Sequence, residues 1–209
     1  MKNILRAVLP LLFTACLATA AVAAESEARQ ALEQKVGNVL HILDTADLNS
    51  PEARLAALNK VQAEITGLFD FKELSARTVG PSWTSFTEDQ KNRFTDAFTT
   101  LLRTTYAEKL EGYDGGTATY TGETMNTKGD RIEIRTRIAL KNSTVGVDYR
   151  MAKKSAGWLV YDVIVEGVSL VQNYRSQFQD LLVKNDAEYL IAQVQKKARE
   201  MTEVKPAER

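Results

Sequence analysis

Histidine, cysteine and proline are scarce in this sequence: 209 residues include one His, one Cys and four Pro. His41 is the sole imidazole, and no G-x-S-x-G occurs, so a Ser-His-Asp hydrolase would have to rest on that single side chain. His41 falls beside the apolar stripe of the first helical segment, where a plain helix-face residue is the simpler reading. Neither H-E-x-x-H nor a Gly-rich phosphate loop is present. Cys16 lies close to the N-terminus, and everything after it lacks a thiol, which excludes a disulfide, a thiolate nucleophile or a thiolate metal site there. Neither sign of charge dominates: 27 Lys and Arg balance 27 Asp and Glu, so nothing marks a nucleic acid as partner.

The first 24 residues have a basic start (Lys2, Arg6), an apolar stretch from Ala7 to Leu17, and the small residues Ala21-Val22-Ala23. That is the layout of a secretory signal peptide, expected over residues 1–24. An uncleaved membrane anchor fits less well, because Pro10 breaks the stretch and Glu25 follows it closely. Thr14-Ala15-Cys16 resembles the approach to a lipidated cysteine, but Phe13 stands where Leu is usual and apolar residues continue beyond the Cys. Cleavage leaves a chain with a slight acidic excess and no cysteine, suited to an oxidising compartment such as the bacterial periplasm.

From Glu25 onward the apolar residues first recur at helical spacing: Leu32, Val36, Val39, Leu40 and Leu43, then Leu55, Leu58, Val61, Ile65 and Leu68 behind a Ser50-Pro51 start. A short helical piece from Phe71 to Thr78 is expected to stop at Gly80-Pro81. Thr87 through Gln90 reads as a capping box opening a long helix with the stripe Phe94, Phe98, Leu101, Leu102, Tyr106, Leu110 and Tyr113. After Gly115-Gly116 the period changes to two. Ile132, Ile134 and Ile138 alternate with Arg131, Glu133, Arg135 and Arg137, and Val145, Val147, Tyr149 and Met151 alternate with Gly146, Asp148 and Arg150. A strand from Trp158 to Val165, apolar on both faces, leads into a helix carrying Leu170, Val171, Tyr174, Phe178, Leu181 and Leu182. A last helix carries Leu190, Ile191, Val194 and Ala198 before a polar tail at 204–209 that is expected to fray. Helices, then strands, then helices predict a single α+β domain over residues 25–203: a curved antiparallel meander of four to five strands packed by helices.

Asp162 is the one carboxylate inside the doubly apolar strand. Aimed into an apolar cavity, it could have a raised pKa and move protons, with Tyr149 or Tyr161 as partner in the manner of a ketosteroid isomerase of the NTF2-like fold. Turned the other way, or paired with Arg135, Arg137 or Arg175, it is structural, the commoner fate of such an acid. Glu166 and Gly167 stand where strand must become helix and are expected to hold that corner. The wide apolar stripes suit either a pocket between sheet and helices or a solid core, and periodicity does not separate the two.

Three blocks carry a family resemblance. The first is Phe69-Asp70-Phe71 with Arg77, Gly80 and Trp83; the second is Gln90 with Phe94, Phe98, Leu101-Leu102 and Tyr106; the third runs from Trp158 through Ser169 as Trp-x-x-Tyr-Asp-Val-x-x-Glu-Gly-Val-Ser. Together they resemble the MlaC or toluene-tolerance family of periplasmic phospholipid-binding proteins, over nearly all of the chain after the leader. Val79 departs from the Leu common before that glycine, a conservative change. The resemblance implies a non-enzymatic carrier, without metal or cofactor, that holds phospholipid acyl chains in an apolar pocket with the head group near its mouth. It also implies service to an ABC-type system maintaining outer-membrane lipid asymmetry. Lipid would pass between an inner-membrane complex containing an MCE-domain ring and an outer-membrane lipoprotein–porin complex, with the carrier a monomer. On that basis the expected pocket residues are Ile138, Val147, Tyr149, Val163 and Val165 on the strands, Leu102, Tyr106 and Leu110 on the long helix, and Val168 at the corner, each of which could equally be ordinary core. Asp162, Glu166 and Gly167 then read as the structural corner. A periplasmic chaperone for lipoproteins is the remaining alternative.

Overall fold

A computed structural model describes residues 25–47, 50–111 and 115–203, with the side chains of 106–111 and 203 outside the description. The expected signal peptide and tail therefore lie outside the described residues, as does Tyr113. Six helices and five strands follow one another as α1 (Glu27–Thr45), α2 (Pro51–Leu68), α3 (Phe71–Val79), α4 (Glu88–Glu111), β1 (Gly116–Met125), β2 (Arg131–Leu140), β3 (Thr144–Lys154), β4 (Gly157–Val165), β5 (Val168–Ser169), α5 (Leu170–Leu182) and α6 (Ala187–Glu203).

Local chemistry accounts for most boundaries. Ser26, Ser50, Asp70 and Ser169 each cap a helix by accepting from the backbone N–H three residues on, satisfying donors the helix itself leaves free. At α4 the capping box closes in both directions: Gln90 N–H donates to Thr87 Oγ1 at 3.2 Å, and Thr87 N–H donates to Gln90 Oε1 at 2.9 Å. Gly80 ends α3 at φ 72°, but the chain does not leave helical geometry there; it continues as a 3-10 turn over Gly80–Ser85. Proline at the second position of that turn supplies its fixed φ and needs no donor.

The strands form one open antiparallel sheet in the order β1-β2-β3-β4-β5, the fifth being only two residues long. Register shifts interrupt two ladders, leaving Thr121 extra in β1 and Tyr161 extra in β4. Such bulges bend a strand and add twist. Cross-strand partners share a face, so the register assigns two sides. The inner side carries Tyr120, then Ile132, Ile134, Thr136 and Ile138, then Val145, Val147, Tyr149 and Met151, then Trp158, Val160, Val163 and Val165. The outer side carries Arg131, Glu133, Arg135, Arg137, Asp148, Arg150 and Asp162.

Two cores result. A helical core gathers Leu74, Phe86, Phe94, Phe98, Leu101, Leu102, Val171, Phe178, Leu190 and Ile191 from α3 through α6. A sheet core packs Ala28 and Leu32 of α1 and Leu68 of α2 onto Ile132, Ile134, Met151, Trp158 and Val160. Phe69 touches both, and its residue bridges to Val160, with Asp70 N–H donating to the Val160 carbonyl at 2.9 Å.

Candidate functional site

The inner face of the sheet is not uniformly filled. In the half toward the start of β2 and the end of β3, Ile132, Ile134, Met151 and Val160 are fully buried beneath α1 and α2. In the other half Ile138, Val145, Val147 and Val163 point the same way yet are only half-buried, and Val165 is 37% exposed. Helix α1 runs along the edge strand on this side: Ser26 Oγ donates to Glu123 at one end of β1, and Asp44 lies 4.0 Å from where a Cβ on Gly115 would sit at the other. These inward-facing apolar side chains keep accessible surface that the other half has closed, a gap in the packing of that face.

Tyr149 borders that gap and packs against the sheet core. Burial pushes its phenol up to about 12, yet its surface is not closed off by neighbours. Across the sheet, Tyr120 has its hydroxyl buried without a hydrogen-bond partner among the described residues. Burial raises the Tyr120 pKa, and the Tyr149 phenol is near enough to raise it further.

Of the residues expected in a pocket, Ile138, Val147, Tyr149, Val163 and Val165 thus share one face. Leu102 is elsewhere, buried in the helical core. Val168 is 62% exposed at the rim, paired to Val165 in the tight β4–β5 turn. The backbone of Tyr106 and Leu110 belongs to α4, and their side chains lie outside the description. Val145 and Tyr120 lie on the same inner face and were not among the expected residues. Val145 had the same alternation as Val147, and Tyr120 is the one aromatic in a Thr-rich strand, so both carried a signal.

Asp162 points away from the gap. It is 3% exposed, and its carboxylate accepts from Ser169 Oγ at 2.7 Å, from Val171 N–H at 3.0 Å and from Arg150 at 3.1 Å. These bonds fasten β4 to the first turn of α5. The arginine is Arg150, not Arg135, Arg137 or Arg175, because the bulge at Tyr161 sets Asp162 directly across from Arg150. Acid–base work inside the cavity in the manner of an isomerase would need this carboxylate on the other face. The next residues complete the corner: Glu166 (φ 48°) and Gly167 (φ 79°) turn the chain with left-handed backbone, and the Glu166 carboxylate accepts from Gly146 N–H.

A polar cluster occupies the outer surface between α3 and the strands. Glu73 receives Arg77, Arg131 and Lys154, and Arg77 lies 4.1 Å from the centre of the Tyr161 ring. Burial alone would push the Glu73 carboxyl up, but hydrogen bonds from Lys154, Arg77 and Arg131 hold it down at about 2. Among the described residues no group of three or more His, Cys, Asp or Glu side chains is arranged to hold a metal, and His41 is exposed on α1. No described helix is long and apolar enough to cross a membrane.

Comparison with known proteins gives three findings. The family model described as MlaC protein matches residues 33–196. The intermembrane phospholipid transport system binding protein MlaC of Haemophilus influenzae is 23% identical over 142 residues, which are 66% of this chain and 66% of that protein, just under two thirds of the relative's length. A phospholipid-binding protein from Ralstonia solanacearum, solved in complex with a phospholipid, superposes with a TM-score of 0.76 at 24% identity, covering 85% of this chain and 100% of the other, a likeness of fold.

Proposed function

The chain belongs to the MlaC protein family, and from that premise we propose that it is a periplasmic phospholipid carrier whose cargo tails lie against the half-open inner face of β2, β3 and β4. The observation that carries this reading is the set Ile138, Val145, Val147, Tyr149 and Val163, inward-facing and apolar yet left half-buried. An acyl chain of about 16 carbons gains roughly 0.8 kcal/mol per buried CH₂, so exposing one to water costs on the order of 10 kcal/mol. Crossing an aqueous compartment therefore requires a protein that offers comparable apolar burial. The gap opens toward Val165 and Val168, the exposed valines of the β4–β5 turn, and the head group sits at that rim. A grip made on the tails gives weak selectivity for the head group.

In this reading the protein is exported by its first 24 residues. It works as a monomer without cofactor, exchanging lipid with an inner-membrane MCE-domain/ABC complex and an outer-membrane lipoprotein–porin complex. Native mass spectrometry of the mature protein, with lipid extraction, tests it. Diacyl phospholipid bound in stoichiometric amount is expected. A protein that carries none and takes none from vesicles overturns the reading, and a co-purifying acylated polypeptide would favour a lipoprotein chaperone.

A further inference from the structure

β1 is the first strand in the sheet order and pairs with β2 alone, so its other edge is unpaired among the described residues. Helix α1 meets β1 from the inner side: the Arg29 guanidinium stands 5.4 Å from the centre of the Tyr120 ring, and Ala28 and Leu32 pack into the sheet core. Thr117, Thr119, Thr121, Glu123, Thr124 and Met125 are exposed. Edge strands are commonly guarded by Lys or Pro, and β1 has neither. Its bulge at Thr121 confines regular pairing to the runs on either side. In the run after the bulge, Asn126 N–H donates to the Arg131 carbonyl at 2.9 Å. Counting back by twos, Thr124 and Gly122 also turn their backbone toward β2, while Glu123 and Met125 turn theirs to the free edge.

On the outer side an arginine occupies the place where Gly122 has no side chain. Arg135, the partner of Gly122 on β2, puts Nη2 2.8 Å from where a Cβ on that glycine would sit, and its Nη1 donates to Thr124 Oγ1 at 3.0 Å. The Arg135 side chain is 42% exposed, and the Glu133 carboxylate beside it stays 3.8 Å away, beyond hydrogen-bond reach. Its remaining N–H groups therefore have no acceptor among the described residues.

We propose that the free edge of β1 is a strand-addition site for an extended acidic segment of a partner protein, with a carboxylate across from Gly122 held by Arg135. A residue added across from Gly122 falls in the close, non-hydrogen-bonded kind of pair, its side chain about 5 Å away. With no side chain at Gly122 between them, a glutamate there meets the guanidinium and takes the N–H groups it has to spare, a charge-assisted bond. Main-chain bonds to Glu123 and Met125 supply the rest of the grip. A second copy does not fit. The outer side of β1 is Thr117, Thr119, Gly122 and Thr124, with no carboxylate to offer Arg135.

The test is titration of the isotope-labelled mature protein with two synthetic peptides, one alternating Thr with Glu and the other Thr with Lys, read by backbone amide shifts and hydrogen exchange. The Glu peptide is expected to shift the amides from Gly122 to Met125 and to slow exchange at Glu123 and Met125; the Lys peptide is not. Arg135→Glu should weaken binding of the Glu peptide by about tenfold and turn the preference toward the Lys peptide. Should that reversal fail to fold in thermal unfolding, Arg135→Gln should abolish the preference. No response at these amides, an equal response to both peptides, or a free protein already dimeric through β1 overturns the site. None of these outcomes touches the carrier reading, which lipid loading tests separately.

Discussion

The helical core and the inner face of the sheet are built from similarly apolar residues and end in opposite states. In the helical core the rings of Phe94, Phe98, Tyr174 and Phe178 meet edge-to-face, tilted or stacked, with centroids 4.9–5.7 Å apart, and close the space between α4 and α5. On the sheet, short β-branched side chains project from a bent surface and reach only as far as α1 and α2 come down to meet them. Large flat rings on helices can interlock from both sides. Valines on a strand cannot lengthen to fill what a helix leaves open. One region is thus closed by its own side chains, and the other keeps apolar surface uncovered.

The largest contrast in stability is expected from truncation in each region. Phe98→Ala removes a fully buried ring at the centre of the helical core and should cost about 3–5 kcal/mol in urea unfolding. Asp162→Asn acts at the joint between the regions. It weakens the charge-assisted bonds to Ser169, Val171 and Arg150 and should cost about 2 kcal/mol, with lipid loading altered less than stability. Retained stability with lost loading would contradict the corner role.

Glu73 is a second tie, from α3 to β2 and β3. Its pKa is depressed in the folded protein, so its contribution is fully present above the ordinary carboxylate range and is lost as pH falls from about 4.5 toward about 2. Urea midpoints followed across that window should fall less steeply in Glu73→Gln than in the wild type. The smallest change in stability belongs to the open half: Val147→Ala should cost less than about 1 kcal/mol, because the side chain already borders space. Val147→Phe should leave the midpoint near that of the wild type while cutting phospholipid uptake, a separation that no substitution at Phe98 can produce.

The strands' inward and outward sides were legible because alternation is written residue by residue, and the start of α4 because Thr87 and Gln90 complete their bonds within one turn. The filling of the inner face was not. Ile134 and Ile138 are the same residue type on the same strand and the same side, yet one is fully buried and the other is not. Leu102 belongs to the stripe of α4 that was expected to face the sheet, and it is spent in the helical core.

Sequence alone determined the element order, the two-sided strands, the caps at Ser50 and Thr87 and the family, since each depends on neighbours within a few residues or on short ordered motifs. Tertiary structure decided which apolar residues are core and which line a gap, because that depends on how far a helix from another part of the chain reaches over the sheet. It also decided the partner of Asp162. A single extra residue in β4 shifts the register, and register is a property of two strands together.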